Sequence, residues 1–205
     1  MEDPADTATD GRALRRLRNE DAAVDAILDL LNEGVIQPTA QEVSDRSGVS
    51  MRSIFRLFQD MEALHAAAIE RQLSRIGPLL ADVPTTGPLT GRIAALAADR
   101  ARFFEAVAPV RRLAVRRSAQ SPTLRSGLAR ADRHFRSQVA TVFAAELAAA
   151  HDDLLDALDA ATSWEAWDRL RRAQDLSVAA ARRVTVLTLT ALVTSAGDAP
   201  HDQEP

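Results

Sequence analysis

The sequence predicts an all-α protein, with a small N-terminal domain of three helices followed by a larger helical domain. Three observations predict this class. The 205 residues are rich in Ala and Leu, with 8 Gly and no Tyr, a composition that favours helix over sheet. Apolar residues recur at spacings of three and four, and no segment alternates as a strand does. Capping and breaking residues then divide the chain into segments of helix length.

Composition shifts predict five parts. Residues 1–11 are acidic with Pro and Gly, which predicts a disordered tail. The small domain is expected at 12–59, a connecting helix at 60–77, the larger domain at 78–197 and a second disordered tail at 198–205.

The first helix is predicted from Leu14 to Glu33. Its apolar stripe follows the i, i+3, i+4, i+7 pattern of a helix with one buried face: Val24, Ile27, Leu28 and Leu31. Gly34 ends this helix, because glycine is favoured just after a helical C-terminus.

Two short helices follow. Thr39 with Glu42 three residues later is a capping box, which predicts the start of the second helix. Gly48 suits the left-handed position that closes it. Ser50 is expected to cap the third helix, which extends to about Phe58.

The connecting helix begins near Asp60 and ends at Gly77-Pro78, and residues 82–91 read as a loop. The rest of the chain has a helical pattern. Breaks are predicted at Pro109, Ser121-Pro122, His151-Asp152, Thr162-Ser163 and Leu176-Ser177. The last segment, 178–194, is apolar nearly all round, which is typical of a core or subunit-interface helix.

A short helix, a turn containing Gly and a second short helix form a helix-turn-helix. Four apolar residues are expected to face inward: Val43, Val49, Ile54 and Phe58. Five residues remain outward on the second helix of the motif: Met51, Arg52, Ser53, Phe55 and Arg56. Such a helix presents its N-terminal residues to the major groove. Ser50 and free backbone N–H groups can hold a phosphate, while Arg52 and Arg56 can contact guanine or the backbone.

The segment from Gly34 to Leu64 resembles the DNA-binding domain of TetR-type transcriptional regulators. That family's pattern is a glycine, a Thr-capped helix, Ala-Gly-Val-Ser, Leu-Tyr-x-His/Tyr-Phe and Lys-Glu-x-Leu. The corresponding segments here are Thr39–Ser44, Ser47–Ser50, Ser53–Phe58 and Met61–Leu64. The stretch 163–171 also resembles late helices of such regulators.

The resemblance implies a homodimeric repressor that a small molecule releases from palindromic double-stranded DNA. The DNA-binding residues it implies, together with the outward face of the motif, are Thr39, Ser50, Met51, Arg52, Ser53, Phe55 and Arg56. The connecting helix is the expected transmitter between effector and DNA.

Two positions depart from the family pattern. Phe55 replaces a tyrosine, and Met61 replaces a lysine, so two phosphate contacts are missing. We hypothesise that arginines in an arm or early turn at the start of the first helix compensate, above all Arg16 and Arg18, with Arg12 and Arg15 beside them. The alternative is that these arginines form a solvated helix face.

The larger domain is expected to hold the dimer interface and the effector. Residues 152–195 supply apolar helices for a subunit interface, although they could instead form the monomer core. The large side chains on the middle helices are candidates for the ligand site or for the core: Phe103, Phe104, His134, Phe135, Phe143 and Trp164. Residues 111–136 carry eight arginines against one acid, Asp132, which suits an anionic ligand or a solvated face.

Composition restricts the other functional classes. The chain has no Cys and no Lys, and its net charge is −4. Disulfides and thiolate chemistry are therefore excluded. Neither a signal peptide nor an apolar run of membrane length is recognised, which predicts a soluble, cytoplasmic protein. We expect no enzyme, cofactor or metal. His151-Asp152-Asp153 resembles a metal-binding pair but has no evident further ligands. A helical interaction protein that has lost operator binding is the remaining alternative.

Overall fold

The protein is described by a computed structural model over residues 4–77, 82–150 and 153–198. Those ranges are helical and contain no strand, so the predicted all-α class is confirmed. The α-helices are α1 Pro4–Asn32, α2 Ala40–Ser47, α3 Met51–Phe58, α4 Met61–Ile76, α5 Leu89–Arg117, α6 Pro122–Val142, α7 Ala144–Leu147, α8 Asp153–Ala161, α9 Trp164–Asp168 and α10 Val178–Asp198. A π-helical turn, Arg169–Ala173, follows α9.

The chain forms two compact units whose boundaries differ from the predicted domains. The first unit combines the chain up to residue 77 with 107–125, and the second combines 78–106 with the chain from 126 onward. The predicted connecting helix, 60–77, therefore lies wholly within the first unit. Helix α5 contributes to both units, which sequence periodicity cannot reveal because a continuous helix carries no boundary signal.

Helix α1 begins earlier than predicted. It starts at Pro4, so the expectation of a disordered tail over 1–11 is wrong for residues 4–11. Proline is favoured at the first helical position, and acidic residues near a helix N-terminus stabilise it. Residues 1–3 and 199–205 of the two predicted tails lie outside the described residues.

The first unit packs α2, α3 and α4 against the buried face of α1. The predicted stripe of α1 is buried, with Ile27 fully inaccessible to solvent. Salt bridges also join α1 to α4. Arg71 pairs with both Asp21 and Asp25, and Arg75 Nη2 lies 2.7 Å from Asp25 Oδ1. These contacts fix α4 along α1.

Most of the predicted breaks are confirmed, but the break at Pro109 is wrong. Helix α5 continues through Pro109, although an internal proline removes one backbone hydrogen bond. Buried side chains on both sides of the proline, Val107 and Val110 among them, hold the helix together. The later boundaries fall as expected, with α6, α9 and α10 beginning at Pro122, Trp164 and Val178. The break at His151-Asp152 lies outside the described residues.

The second unit has its own apolar core. The core residues are Val83, Ile93, Leu96, Val139, Val142, Phe143, Leu154, Leu158, Leu189 and Val193. They come from the loop before α5, from α5, α6, α8 and α10, and from Phe143 between α6 and α7. Phe143, which the sequence offered as either core or pocket, is therefore a core residue of this unit.

Helix α10 contains an apolar segment of membrane length, although none was recognised in the sequence. Over Val178–Ala196 it is long and apolar enough to cross a membrane, with a mean hydropathy of 1.3. One such helix is weak evidence for a membrane span, because core helices meet the same criterion. Ala181, Thr185 and Leu189 form a buried stripe at four-residue spacing, which is the pattern of a helix packed on a protein core.

Candidate nucleic-acid interface

Capping hydrogen bonds and a left-handed glycine build the turn before α3. Gly48 has φ 69°, and its N–H donates to the Ser44 carbonyl at 3.0 Å. Ser50 then caps α3, its hydroxyl oxygen accepting from the Ser53 N–H at 3.3 Å. A residue with Cβ is strained at such a φ, so glycine sets the angle at which α3 leaves α2.

Helix α3 has one buried and one exposed face, as predicted. Ile54 and Phe58 are 0% and 6% exposed, and Val49 in the turn is also buried. On the other face Met51 and Phe55 are 42% and 44% exposed. Two arginines accompany them there, Arg52 and Arg56, with Ser53 half-buried beside them. The predicted inward positions and four of the five outward positions are confirmed, Ser53 being half-buried, while the role of the outward residues in DNA binding stays a prediction.

Arg52 and Arg56 extend from the exposed face without an ionic partner among the described residues. The nearby Arg46 is different, because it forms two hydrogen bonds to Glu33, at 2.8 and 2.7 Å. The Arg46 guanidinium holds the pKa of the Glu33 carboxyl below its usual range. One arginine of this region therefore fastens α2 to α1, while the two on α3 remain available to an external anion.

The hydroxyls of Thr39 and Ser50 are already used in capping. Thr39 Oγ1 donates to Glu42 Oε2 at 2.8 Å and accepts from the Glu42 N–H at 3.2 Å. The hydrogen bond from the Thr39 backbone N–H lowers the pKa of Glu42. Ser50 Oγ donates to Ser53 Oγ at 3.0 Å. A phosphate at either helix start must therefore compete with these bonds or use free backbone N–H groups.

The four arginines at the start of the chain, Arg12, Arg15, Arg16 and Arg18, lie on α1 itself, and so they do not form an extended arm. Residues 11–18 are all exposed, including Arg16 and Arg18. Leu14 and Leu17 in the same turns are 45% and 57% exposed. This part of α1 combines basic and apolar side chains on an uncovered surface. Both the DNA contact and the solvated-face interpretation remain open for it.

Four of the predicted ligand residues pack against one another inside the second unit. Phe103, Phe104, Phe135 and Trp164 are each at most 7% exposed. Phe104 contacts Phe135 and Trp164 edge to face, with ring centroids 5.5 and 5.7 Å apart. Such contacts are typical of a packed aromatic core. His134 is exposed and touches the cluster through Phe135. A ligand role for the five residues stays a prediction.

The arginine-rich stretch 111–136 does not belong to one unit. Residues 111–125 lie in the first unit and 126–136 in the second. Within the first unit, Arg116 and Arg117 border a cleft together with Gln37 and Glu62. The sequence drew attention to the arginines, but nothing in its periodicity linked them to residues so much earlier in the chain.

Within the described ranges, no group of three or more His, Asp or Glu side chains is placed to hold a metal ion. His151 and Asp152 of the metal-like pair lie outside those ranges.

Comparisons with known proteins agree with the fold. No family model matches the sequence, and no curated protein matches it. A transcriptional regulator from Rhodococcus sp. RHA1 is structurally similar, with a TM-score of 0.62 and 18% identity over 90% of this chain and 99% of that one. A TetR-like transcriptional regulator from the same organism superposes with a TM-score of 0.55 and 18% identity over 87% and 94% of the two chains. The protein therefore has the fold of TetR-like transcriptional regulators.

Proposed function

We propose that this protein is a transcriptional regulator that binds double-stranded DNA through helix α3. The observation that carries the proposal is the exposed face of α3. It presents Arg52 and Arg56 without acidic partners among the described residues, next to a capped helix start. Basic side chains in that position attract phosphate, and a helix of this size fits the major groove.

The outward residues of α3 offer two kinds of base contact. An arginine donates two hydrogen bonds to guanine, and apolar side chains contact the thymine methyl group. Arg52 and Arg56 are four residues apart, as are Met51 and Phe55, so each pair shares one side of the helix. We therefore expect each half-site to contain a guanine with a thymine close to it.

We propose that the exposed turns of α1 supply backbone contacts, through Arg16 and Arg18, that Phe55 and Met61 do not provide. Each phosphate neutralised contributes about 0.9 to the slope of log affinity against log salt. The double variant Arg16→Ala with Arg18→Ala should therefore lower affinity for all DNA sequences and flatten the slope by up to about 2. An unchanged slope would exclude these arginines from the interface.

We also propose that the protein is a homodimer through residues 152–195. Leu187 is 70% exposed on α10, a long apolar helix of the second unit. Two copies related by two-fold symmetry place their reading helices about 34–36 Å apart, which matches a palindromic operator. Light scattering at micromolar concentration tests the dimer, and Leu187→Arg should convert it to monomer.

The proposed mode is repression relieved by a small molecule. An effector near Phe103, Phe104, His134, Phe135 and Trp164 would act through α4. Coupling energies of about 1–3 kcal/mol, or about 5–150-fold in DNA affinity, are typical of such regulators. Measurement of operator affinity with and without candidate ligands shows whether the effector releases the protein from DNA or strengthens its binding to DNA.

The deciding experiment is selection of bound duplexes from a random DNA pool by the purified full-length protein at moderate salt. Enrichment of an inverted repeat is the expected result. Failure to enrich any sequence, even at low salt, would contradict the proposal. It would favour a helical interaction protein that uses the exposed Met51 and Phe55 as an apolar contact surface.

A further inference from the structure

A polar cleft of about 270 Å³ lies within the first unit and is lined by residues outside α3. Four segments meet there: the turn before α2, the first turn of α4, the end of α5 and the turn before α6. The lining residues are Gln37, Glu62, Arg116, Arg117, Gln120 and Ser121. A volume near the lower end of the range for ligand pockets suits a small metabolite rather than a large one.

The charges of the cleft favour an anion. Arg116 and Arg117 face one acid, Glu62, and neither guanidinium forms a salt bridge with the described residues. Arg117 Nε is buried and has no hydrogen-bond partner. A buried donor without an acceptor is costly, and a carboxylate or phosphate oxygen would supply that acceptor.

A second buried polar group without a hydrogen-bond partner lies on α4, the helix that supplies Glu62 to the cleft. His65, one turn after Glu62 on α4, is 1% exposed, and neither ring nitrogen has a hydrogen-bond partner. The positive charge of Arg117 acts on this ring. Helix α4 and the end of α5 therefore border one cleft and carry buried polar groups without hydrogen-bond partners. Such groups are costly when unpaired.

The other residues that line the cleft indicate which groups a ligand should carry besides its anionic end. Glu62 repels a compact polyanion but accepts hydrogen bonds from hydroxyl groups. Gln37 and Gln120 can both donate and accept. Ser121 lies at the start of α6, where the helix dipole favours negative charge. A ligand with one anionic end and several hydroxyls matches all of these groups.

The cleft is also placed to affect α3. Gln37 comes just before Thr39, the cap of α2, and Glu62 comes just after Asp60, the cap of α4. These positions lie on either side of the helix-turn-helix. A ligand that contacts both would change the relative stability of the arrangements that α2 and α3 can adopt.

We propose that this cleft binds a small hydroxylated anion, a sugar phosphate or a hydroxycarboxylate, and that occupancy alters the affinity of α3 for DNA. The second part rests on the proposed function, whereas the first part does not.

Calorimetric titration of the full-length protein tests the binding. The probes are glucose 6-phosphate, gluconate and inorganic phosphate. We expect at least one hydroxylated anion to bind. Arg117→Gln and Arg116→Gln should each weaken it about tenfold or more. Arg133→Gln, an exposed arginine of α6 in the second unit, is the matched control and should leave binding unchanged.

Glu62→Gln tests the ligand class. The variant should bind the hydroxylated anion more weakly, because it lacks the carboxylate that accepts hydrogen bonds from the hydroxyl groups. It should bind inorganic phosphate more tightly, because the negative charge that repels phosphate is gone. Absence of binding by every probe at millimolar concentration would overturn the site. So would equal losses in Arg116→Gln and Arg133→Gln. Thermal unfolding shows whether Arg117→Gln is misfolded. If it is, the loss of binding in Arg116→Gln decides the test, because Arg116 is exposed and its replacement should not disturb folding.

The regulatory part is measured with a selected operator duplex by fluorescence anisotropy, with and without the bound probe. We expect a change of about fivefold or more in operator affinity, and none in Arg116→Gln. Binding of the probe without any change in operator affinity would overturn the regulatory role alone. If no operator is selected, the proposed function and the regulatory role both fail, while the calorimetric result stands independently.

Discussion

The arginines of α3 and those inside the second unit have the same chemistry but opposite surroundings. Arg100 is 1% exposed, with Nη1 on Gln138 Oε1 at 2.5 Å and the guanidinium carbon 4.3 Å from the centre of the Phe135 ring. Arg92 is also buried, and its guanidinium binds Glu146 and the Val142 carbonyl. Arg52 and Arg56 are exposed and have no acidic partner within the described ranges.

The difference separates structural arginines from available ones. Burial costs a guanidinium its hydration, and the pKa of Arg100 is lowered to about 10 for that reason. The hydrogen bonds around it replace the lost water contacts. An exposed arginine keeps its hydration and its full set of donors until a ligand arrives. Loss of an interior arginine should therefore change stability, and loss of an arginine on α3 should change binding.

The largest expected effect is from Arg100→Met. The change removes the Arg100 charge from beside the buried Asp99 and from the face of the Phe135 ring. We expect the free energy of unfolding to fall by about 3–5 kcal/mol, measured by urea denaturation followed by circular dichroism. Arg102→Met is the control, because that side chain is 45% exposed. A loss below about 1 kcal/mol would show that Arg100 is not a structural arginine.

The second prediction concerns a buried base in the first unit. Burial, and then the charge of Arg117, lower the pKa of His65 to about 4. Between about pH 6.5 and pH 4 the unfolded chain therefore binds more protons than the folded one, so stability falls as the pH falls. The loss over that window should reach about 3 kcal/mol at most. His65→Leu should remove this part of the pH dependence, measured by urea denaturation at pH 7, 6, 5 and 4. An identical pH profile in wild type and variant would contradict the assignment.

The third prediction concerns the exposed arginines of α3. Arg52→Ala and Arg56→Ala should each change the free energy of unfolding by less than about 0.5 kcal/mol. Operator affinity should fall by about 1–3 kcal/mol where the arginine contacts a base, with relaxed specificity at that base. Where it contacts phosphate, the salt slope should fall by about 1. Anisotropy titration at three salt concentrations distinguishes the two, and the exposed Arg130→Ala on α6 is the control. Equal affinity in all four proteins would remove α3 from the interface.

The smallest effect is expected from Thr39→Ala. This change removes the hydroxyl that caps α2, and Glu42 keeps its hydrogen bond from the backbone N–H of residue 39. The free energy of unfolding should fall by about 1 kcal/mol, as measured by thermal denaturation. Thr39→Ser keeps the hydroxyl and should behave as wild type. If operator affinity at a temperature where both proteins are folded also falls in Thr39→Ala, the hydroxyl has a second partner on the DNA.

The helical elements near α3 were predictable because their signals are local. A capping box, a glycine at positive φ and a serine cap each act within about four residues. Thr39, Gly48 and Ser50 therefore mark the helix ends where the structure has them. The error at Pro109 has the opposite origin. The breaking tendency of proline is local, but the buried neighbours that outweigh it, such as Val107 and Val110, act through tertiary packing.

The helical class, the helix-turn-helix and the outward residues of α3 are readable from local sequence, because periodicity and capping depend on near neighbours along the chain. Which arginines are paired and which are available depends on the packing of distant segments. Arg92 finds Glu146 and Arg117 comes beside Gln37 across long stretches of chain. A guanidinium binds whichever acceptor the packing brings to it. No pattern along the sequence encodes such distances, and so the cleft and the unit boundary within α5 emerged only from the folded chain.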